Sequence, residues 1–426
     1  MPQEGIELGN CPGFWVIHRL AVWGQPTPIH TMRVIGIDVS KASVTACVTD
    51  TRPAEPRQFY FDAKFLTLPA NAAGIRALLD LGADVAVLEP TGVNYSKLWG
   101  TQLARAGVRV VLVGHKELRG YRAGHLGLPD KDDDADALAL ACYYWDYCDS
   151  PRRFVSDRTE AIVQIRRLVL RLCHLNRVQS PIVNRLRQDL AWQFPEVAHV
   201  KSKRVLLSDL SPLLWAWMAG LRPSAKYDRL YAATCGLGLD DLSRNHAARL
   251  CDLHSEECAI ERQLYQFLQH PDFAPYRKVF ARFGFGMRVE ALLISQIYPI
   301  ENYLGPDGKP EIKIRKGRKS GNPTKRHLSL RRFTKALGCA PGREESGDMR
   351  RVQIVGGSDL CRRALWQWIF TRIEPERARP KNQIGKLLGD RLDQEKSTKP
   401  IRLARSRCAG YAARLLFFEL VASLIT

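Results

Sequence analysis

The 426-residue sequence predicts an α/β domain followed by a mainly helical region. Three observations carry that expectation. Two apolar runs, VIGI (34–37) and VAVL (85–88), read as buried strands. Helix-like and strand-like segments alternate up to Tyr147, as they do when helices cover a sheet. From residue 158 onward, apolar residues recur in steps of three and four instead.

Taken in order, residues 1–31 hold Gly9, Pro12, Gly13, Gly24, Pro26 and Pro28 with no clear period, and read as a poorly ordered extension. Glu4 and Glu7 stand where a signal peptide would be positive. The folded part is expected to begin near Met32. Val34–Ile37 is a strand, Ser43–Val48 alternates with β-branched residues, and Gln58–Phe61 reads as a short aromatic strand. A helix is expected over 70–80, a strand over 84–89, a helix over 95–106, a strand over 108–113, and a helix carrying Asp133 and Asp136 to Tyr147. Three early strands followed by alternating α and β units give a mixed sheet with flanking helices, the order of a ribonuclease-H-like domain spanning 32–150. That order puts one acid in the first strand, one on the fourth and the last on a closing helix.

Residues 158–192 carry a heptad seam through Ile165, Leu168, Leu172, Leu175, Gln179, Ile182 and Leu186, with Pro181 placed to kink or split it. A second helical segment runs over 240–270, and 193–235 is mixed. The two helical segments are expected to pair as a coiled-coil-like stalk within a helical linker, 151–278, and to serve a dimer or tetramer contact. Gly284-Phe285-Gly286 opens a helix over 287–297. Such a turn lets backbone amides approach a phosphate, as in a helix-hairpin-helix element. Segments 357–373 and 399–424 read as amphipathic helices flanking an exposed charged connection, 374–398. Together 279–426 form a mainly helical C-terminal domain.

The chain has 64 Lys and Arg against 44 Asp and Glu, a net charge of +20. That excess favours a polyanionic partner, nucleic acid first. Eleven basic residues and one acid, Glu311, fall within 309–335. This reads as a flexible basic arm, an insertion over 305–332. Lys313, Arg315, Lys316, Arg318, Lys319, Lys325, Arg326, Arg331 and Arg332 are its candidate nucleic-acid contacts. Each phosphate neutralised would steepen the log-log salt dependence of binding by about 0.9. The apolar stretch 410–426 carries Arg414 and Glu419 and is short for a membrane span. Eleven cysteines without CxxC spacing read as reduced thiols of a cytoplasmic, nucleoid-associated protein. Cys251, His254 and Cys258 share a helix face but lack a fourth zinc ligand.

The chemistry is expected at Asp38, Glu89, Asp133 and Asp136. The first two follow apolar runs, and the last two stand three apart on one helix face. Any one of them could merely cap a helix, and Asp132 is a rival ligand. Jointly they predict clustered carboxylates, which repel unless a cation lies between them. Hard oxygen donors suit Mg²⁺, with Mn²⁺ as a substitute. Such a site moves phosphoryl groups, as in a metal-dependent nuclease or recombinase.

IGIDVSK (35–41), LEPTGVNY (88–95) and Lys131-x-Asp133-x-x-Asp136-Ala137 resemble the DEDD-type insertion-sequence transposases. These are relatives of the Piv invertase, also called bridge-RNA-guided recombinases. NRLR (184–187), Gly284-x-Gly286 and 399–416 resemble further stretches of that family. The resemblance implies a RuvC-like domain binding Mg²⁺ through the four acids. It also implies a C-terminal serine nucleophile shortly after an Ala-Pro and just before a glycine. In CAPGREESG (339–347) that serine is Ser346, with Ser358 as second choice. Glu344, Glu345 and the basic insertion depart from the family pattern. Arg343, Arg350 and Arg351 would steady phosphates beside Ser346. The resemblance further implies DNA element ends and target as substrates and a structured guide RNA as partner. Two readings compete with a transposase. One is a RuvC-like endonuclease or Holliday-junction resolvase using water, and the other a non-catalytic nucleic-acid-binding protein.

Overall fold

The computed structural model describes residues 32–90, 95–128, 131–155, 159–202, 204–317, 321–346, 349–354 and 356–425; of 343–346 and 349–353 it describes the backbone only. The extension expected over 1–31 lies outside the described residues. The chain forms two compact units, divided between residues 157 and 158.

The first unit opens with a hairpin of β1 (Val34–Val39) and β2 (Ser43–Thr49), closed where the Ser40 N–H donates to the Ser43 carbonyl at 3.0 Å. Then follow α1 (Pro56–Asp62), β3 (Leu66–Pro69), α2 (Ala72–Leu79), β4 (Val85–Leu88), α3 (Tyr95–Arg105), β5 (Arg109–Leu112), α4 (His115–Gly124) and α5 (Asp133–Tyr147). The sheet order is β3-β2-β1-β4-β5. β1, β4 and β5 run parallel, while β2 is antiparallel to both its neighbours. This is the mixed sheet with flanking helices that the sequence predicts.

One expected strand is a helix. Gln58–Phe61 lies in α1, and the third strand comes later, at Leu66–Pro69. Pro56 occupies the first turn of α1, where its fixed φ favours a helix and its missing N–H costs nothing. The aromatic pair Phe59 and Tyr60 packs against the core under α5 rather than into the sheet.

The sheet has an apolar core on each face. Ile35, Ile37, Val39, Ala86 and Leu88 pack with Trp99 and Leu103 of α3. Val34, Val85, Val87 and Val111 pack with α4 and α5. Gly36 lies on the α5 side. A Cβ there would stand 2.0 Å from the Ala137 carbonyl oxygen and 2.6 Å from the Ala141 nitrogen. α5 therefore rests directly on the β1 backbone, its contact surface made of alanines.

The second unit is built on α6 (Glu160–Gln193), α7 (Leu213–Met218), α8 (Ala225–Ala232) and α9 (Asp241–Leu268). The long helix α6 runs unbroken through Pro181 and packs along α9. Its seam splits between two cores. Ile165, Leu168, Leu172 and Leu175 join the C-terminal helices, whereas Leu186 and Leu190 join α7, α8 and the start of α9. The seam is thus used inside its own unit. The mixed segment 193–235 becomes α7 and α8 around buried Trp215. Its neighbour Arg204 is pinned between Glu257 and Glu261 of α9.

Next come α10 (Ala274–Phe283) and α11 (Met287–Ile297), joined at Gly284 (φ 65°) and Gly286. The basic segment then folds as a hairpin of β6 (Ile312–Lys316) and β7 (Pro323–His327), not as a loose arm. Every residue of both strands is exposed. α12 (Leu328–Ala336) leads to a second hairpin, β8 (Pro341–Ser346) and β9 (Met349–Ile354), followed by α13 (Asp359–Trp368). The expected exposed connection 374–398 instead contains α14 (Gln383–Lys396), capped by Asn382 and burying Ile384, Leu388 and Leu392. The regular spacing of those three residues is masked by the charges between them. α15 (Ile401–Leu424) closes the chain. Among the described residues no helix is long and apolar enough to cross a membrane.

Replacing Gly36 by alanine forces α5 off β1. Gly36→Ala is expected to destabilise the first unit by about 3 kcal/mol, the upper range of overpacking, read as a lower urea midpoint. A Gly82→Ala control meets no atom within 4 Å; only its positive φ adds strain.

Candidate active site

Strand alternation alone puts two acids on the α5 side of the sheet. Val34, Gly36 and Asp38 share one face of β1, and Val85, Val87 and Glu89 one face of the chain through β4. Val34, Val85 and Val87 belong to the core under α5. The parallel register pairs Ile37 with Leu88. The next residues, Asp38 and Glu89, therefore leave neighbouring strands at the same carboxyl edge, where open α/β sheets bind ligands. α5 supplies the remaining acids. Its first turn holds Asp133, Asp134 and Asp136, and Ala137, the residue that meets Gly36, is one turn from Asp133.

The electrostatics follow from that convergence. Burial and then the charges of Asp133, Asp136 and Glu89 push the Asp38 carboxyl up to about 7, although a Val39 N–H opposes them. Asp136 is also raised, by burial first, with Arg122 opposing. The Arg122 guanidinium, on α4 and buried, donates from Nη1 to Asp136 Oδ1 at 2.7 Å. His115 Nδ1 lies 2.8 Å from Glu89 Oε2. Asp132, the rival ligand, is the N-cap of α5: its Oδ1 accepts from the Ala135 N–H at 2.7 Å, and the Tyr60 hydroxyl donates to its other oxygen. Capping thus falls to Asp132.

Among the described residues, no three acid, histidine or cysteine side chains form a ready-made metal-binding group. Two of the four acids turn toward a positive or donor partner instead, Glu89 to His115 and Asp136 to Arg122. This is what carboxylates held close together do when only protein groups surround them. The donor set itself fits Mg²⁺ or Mn²⁺: oxygens only, on strand ends and a helix, with one carboxyl that burial and then its acidic neighbours raise to about 7.

His115 and Arg122 were not singled out from the sequence. His115 follows β5 across Gly114, and the carboxyl-edge rule that marks Asp38 and Glu89 marks it too. Arg122 gives no such signal in HKELRGYRAG, since an arginine on a short polar helix is ordinarily solvated.

In the second unit, Ser346 ends β8 and pairs with Met349 beside the turn of its hairpin. Its side chain, like those of Arg343, Arg350 and Arg351, lies outside the described residues. The base of the hairpin is tightly fixed. A Cβ on Gly357 (φ 76°) would stand 1.9 Å from the Lys335 carbonyl oxygen, and the Gly338 backbone lies against it. Ser358 caps α13, its Oγ accepting from the Cys361 N–H at 3.2 Å. Lys313, Arg315, Lys316, Lys325 and Arg326 are exposed on the β6–β7 hairpin, and Arg331 on α12. Arg332 is an anchor. It donates to Glu311 at 2.7 Å and to the Tyr303 carbonyl at 3.0 Å. Arg318 and Lys319 lie outside the described residues.

Residues 35–195 match the DEDD transposase family model, described as "Transposase". The match contains Asp38, Glu89, Asp133 and Asp136. Among solved structures, the chain is similar to Thermus thermophilus RuvC, at 16% identity over 28% of this chain and 95% of that one, with a TM-score of 0.20. It is also similar to T. thermophilus RuvC in complex with a Holliday junction substrate, at 15% identity over 29% and 99%, with a TM-score of 0.21. No curated protein matches.

The raised Asp38 fixes the sign of a pH effect on the first unit. Between the ordinary carboxyl range and about 7, the folded state holds a proton that the unfolded chain has released. Metal-free stability should therefore fall as pH rises through that window. Asp38→Asn is expected to raise the metal-free Tm above neutral pH and to abolish the Tm increase that Mg²⁺ gives the wild type. An unchanged Mg²⁺ response in the variant would remove Asp38 from the ligand set.

Proposed function

We propose that this protein is the DNA transposase of an insertion sequence, cutting and rejoining strands at element ends and target. The observation that carries the reading is the family-matched segment whose four acids, Asp38, Glu89, Asp133 and Asp136, act on one another electrostatically. These four would hold Mg²⁺, which when bound supplies positive charge to the phosphate under attack and lowers the pKa of a coordinated hydroxyl. Arg122 holds Asp136 on the site, and the sheet edge holds Asp38 beside Glu89.

Ser346 is the nucleophile in this reading. Its Oγ gives up a proton and bonds to phosphorus, and one sugar oxygen leaves as a hydroxyl. The phosphoserine keeps the energy of the broken diester. Attack by a new hydroxyl then frees the serine and restores the diester without ATP. Arg343, Arg350 and Arg351 balance phosphate charge on the same hairpin. A structured noncoding RNA guides target choice, bound through shape and backbone, and the active form is a homodimer or tetramer in the cytoplasm.

A second reading has one observation in its favour. His115 beside Glu89 is placed to take a proton from water, as a junction resolvase or plain endonuclease would need. Recombination in cells by the element with its native flanks separates the two. Ser346→Ala should abolish junction formation at equal expression, and Asp38→Asn should abolish cleavage while leaving DNA binding intact. Persisting junctions with Ser346→Ala would exclude the serine mechanism.

The exposed β6–β7 hairpin is assigned to nucleic acid. A Lys313→Ala/Arg326→Ala double variant, altering a cross-strand pair, should weaken binding and lower the log-log salt slope by about 1.8, or 0.9 for each phosphate no longer neutralised. Tm should stay unchanged.

A further inference from the structure

A second basic site lies where α14 meets α15. A cavity of about 490 Å³ is lined by Arg391, Glu395, Ser397, Thr398, Lys399 and Arg407, together with Gln394. Glu395 is 3% exposed and sits at its floor. Arg391 Nη2 reaches its Oε1 at 2.5 Å, while Lys399 Nζ and Arg407 Nη1 reach its Oε2 at 2.8 and 3.3 Å. One carboxylate needs one counter-charge; here three cations converge on it, leaving a net charge of +2 around the cavity. Holding like charges this close has a cost that neutralising Glu395 alone does not explain. The three heads also keep outward faces: the Arg391, Lys399 and Arg407 side chains are 40%, 27% and 50% exposed. Arg391 Nε is buried and has no acceptor among the described residues.

Two further features favour an anion. α15 starts at this cavity, after Pro400, with no side chain capping it. Its N-terminal amides therefore add positive potential. The Thr398 hydroxyl, which accepts from Lys399 Nζ at 3.1 Å, supplies a neutral polar wall.

We propose that this cavity binds a backbone phosphate of nucleic acid, with Glu395 serving as an internal strut that spaces Arg391, Lys399 and Arg407 around it. The site uses no residue of the acid cluster or of the basic hairpin. It rests on the reading that the protein binds nucleic acid, and it adds a phosphodiester contact to which nothing in the sequence pattern pointed. DNA and RNA backbones share that chemistry, so the two sources are separated by experiment.

The test uses the full chain and two fluorescein-labelled probes, a duplex DNA and an RNA hairpin, followed by anisotropy across a salt series. Arg407→Ala should raise Kd and lower the log-log salt slope by about 0.9 for the probe that uses the cavity. Arg407→Lys should retain most of the affinity. Thermal melts confirm that each variant is folded; should Arg407→Ala fail to fold, Lys399→Gln replaces it. Weaker binding of the DNA probe assigns the site to DNA, and weaker binding of the RNA probe assigns it to RNA. If wild type binds both probes and the folded variants bind them with the same Kd and slope, the cations serve Glu395 alone and the proposal fails. If wild type binds neither probe, the nucleic-acid reading fails with it.

Discussion

The arrangement of acids at the carboxyl edge of the first unit depends on helix α5 lying directly against the backbone of β1. Gly36 makes this possible, since any side chain there would occupy the space of the Ala137 carbonyl and the Ala141 amide. The close approach sets how far Asp133 and Asp136 stand from Asp38. The parallel pairing of β1 with β4 sets Glu89 beside it. Backbone packing and sheet register, neither of which involves the acids themselves, thus hold four carboxylates in one neighbourhood. Burial first, and then their repulsion, raises the Asp38 carboxyl, while Glu89 and Asp136 meet His115 and Arg122. A cation would take over the work those two partners now do.

This arrangement was legible from the sequence because each part had its own signal. Apolar runs ending in an acid mark buried strands with a carboxylate at the carboxyl edge. Alanines following an acidic turn mark a helix able to approach a sheet closely. The parts that misled had weaker or competing signals. Aromatic Gln58–Phe61 resembles a strand by composition, but Pro56 starts a helix, and the Phe59 and Tyr60 rings pack partly buried against the core. The apolar stripe of α14 is narrow and sits among charges. A run of lysine and arginine with glycines looks unstructured, yet β-branched Ile312 and Ile314 alternate with its charges and suffice for a hairpin. Arg122 could be found only after folding, since its importance lies in what it faces, whereas His115 stands just past the end of β5 and carried a signal that was passed over.

The two units divide the chemistry differently. In the first, acids are concentrated, and burial raises the carboxyls of Asp38 and Asp136. In the second, the exposed basic hairpin and the cation-lined cavity present positive charge, and Ser346 rides on a hairpin whose base is fixed by two glycine backbones. Ser358 caps α13, its Oγ accepting from the Cys361 N–H.

The central claim is that the four acids form one electrostatic unit built to receive a divalent cation. Carbonyl NMR of ¹³C-aspartate-labelled protein, with Asp38 assigned by its absence in Asp38→Asn, measures this directly. The Asp38 carboxyl should titrate near pH 7 in the metal-free protein, and its midpoint should move well down when Mg²⁺ is added, because the cation displaces the proton. A midpoint near 4, about the ordinary carboxyl value, with and without Mg²⁺, would mean that the acids neither couple nor share an ion, and would contradict the account.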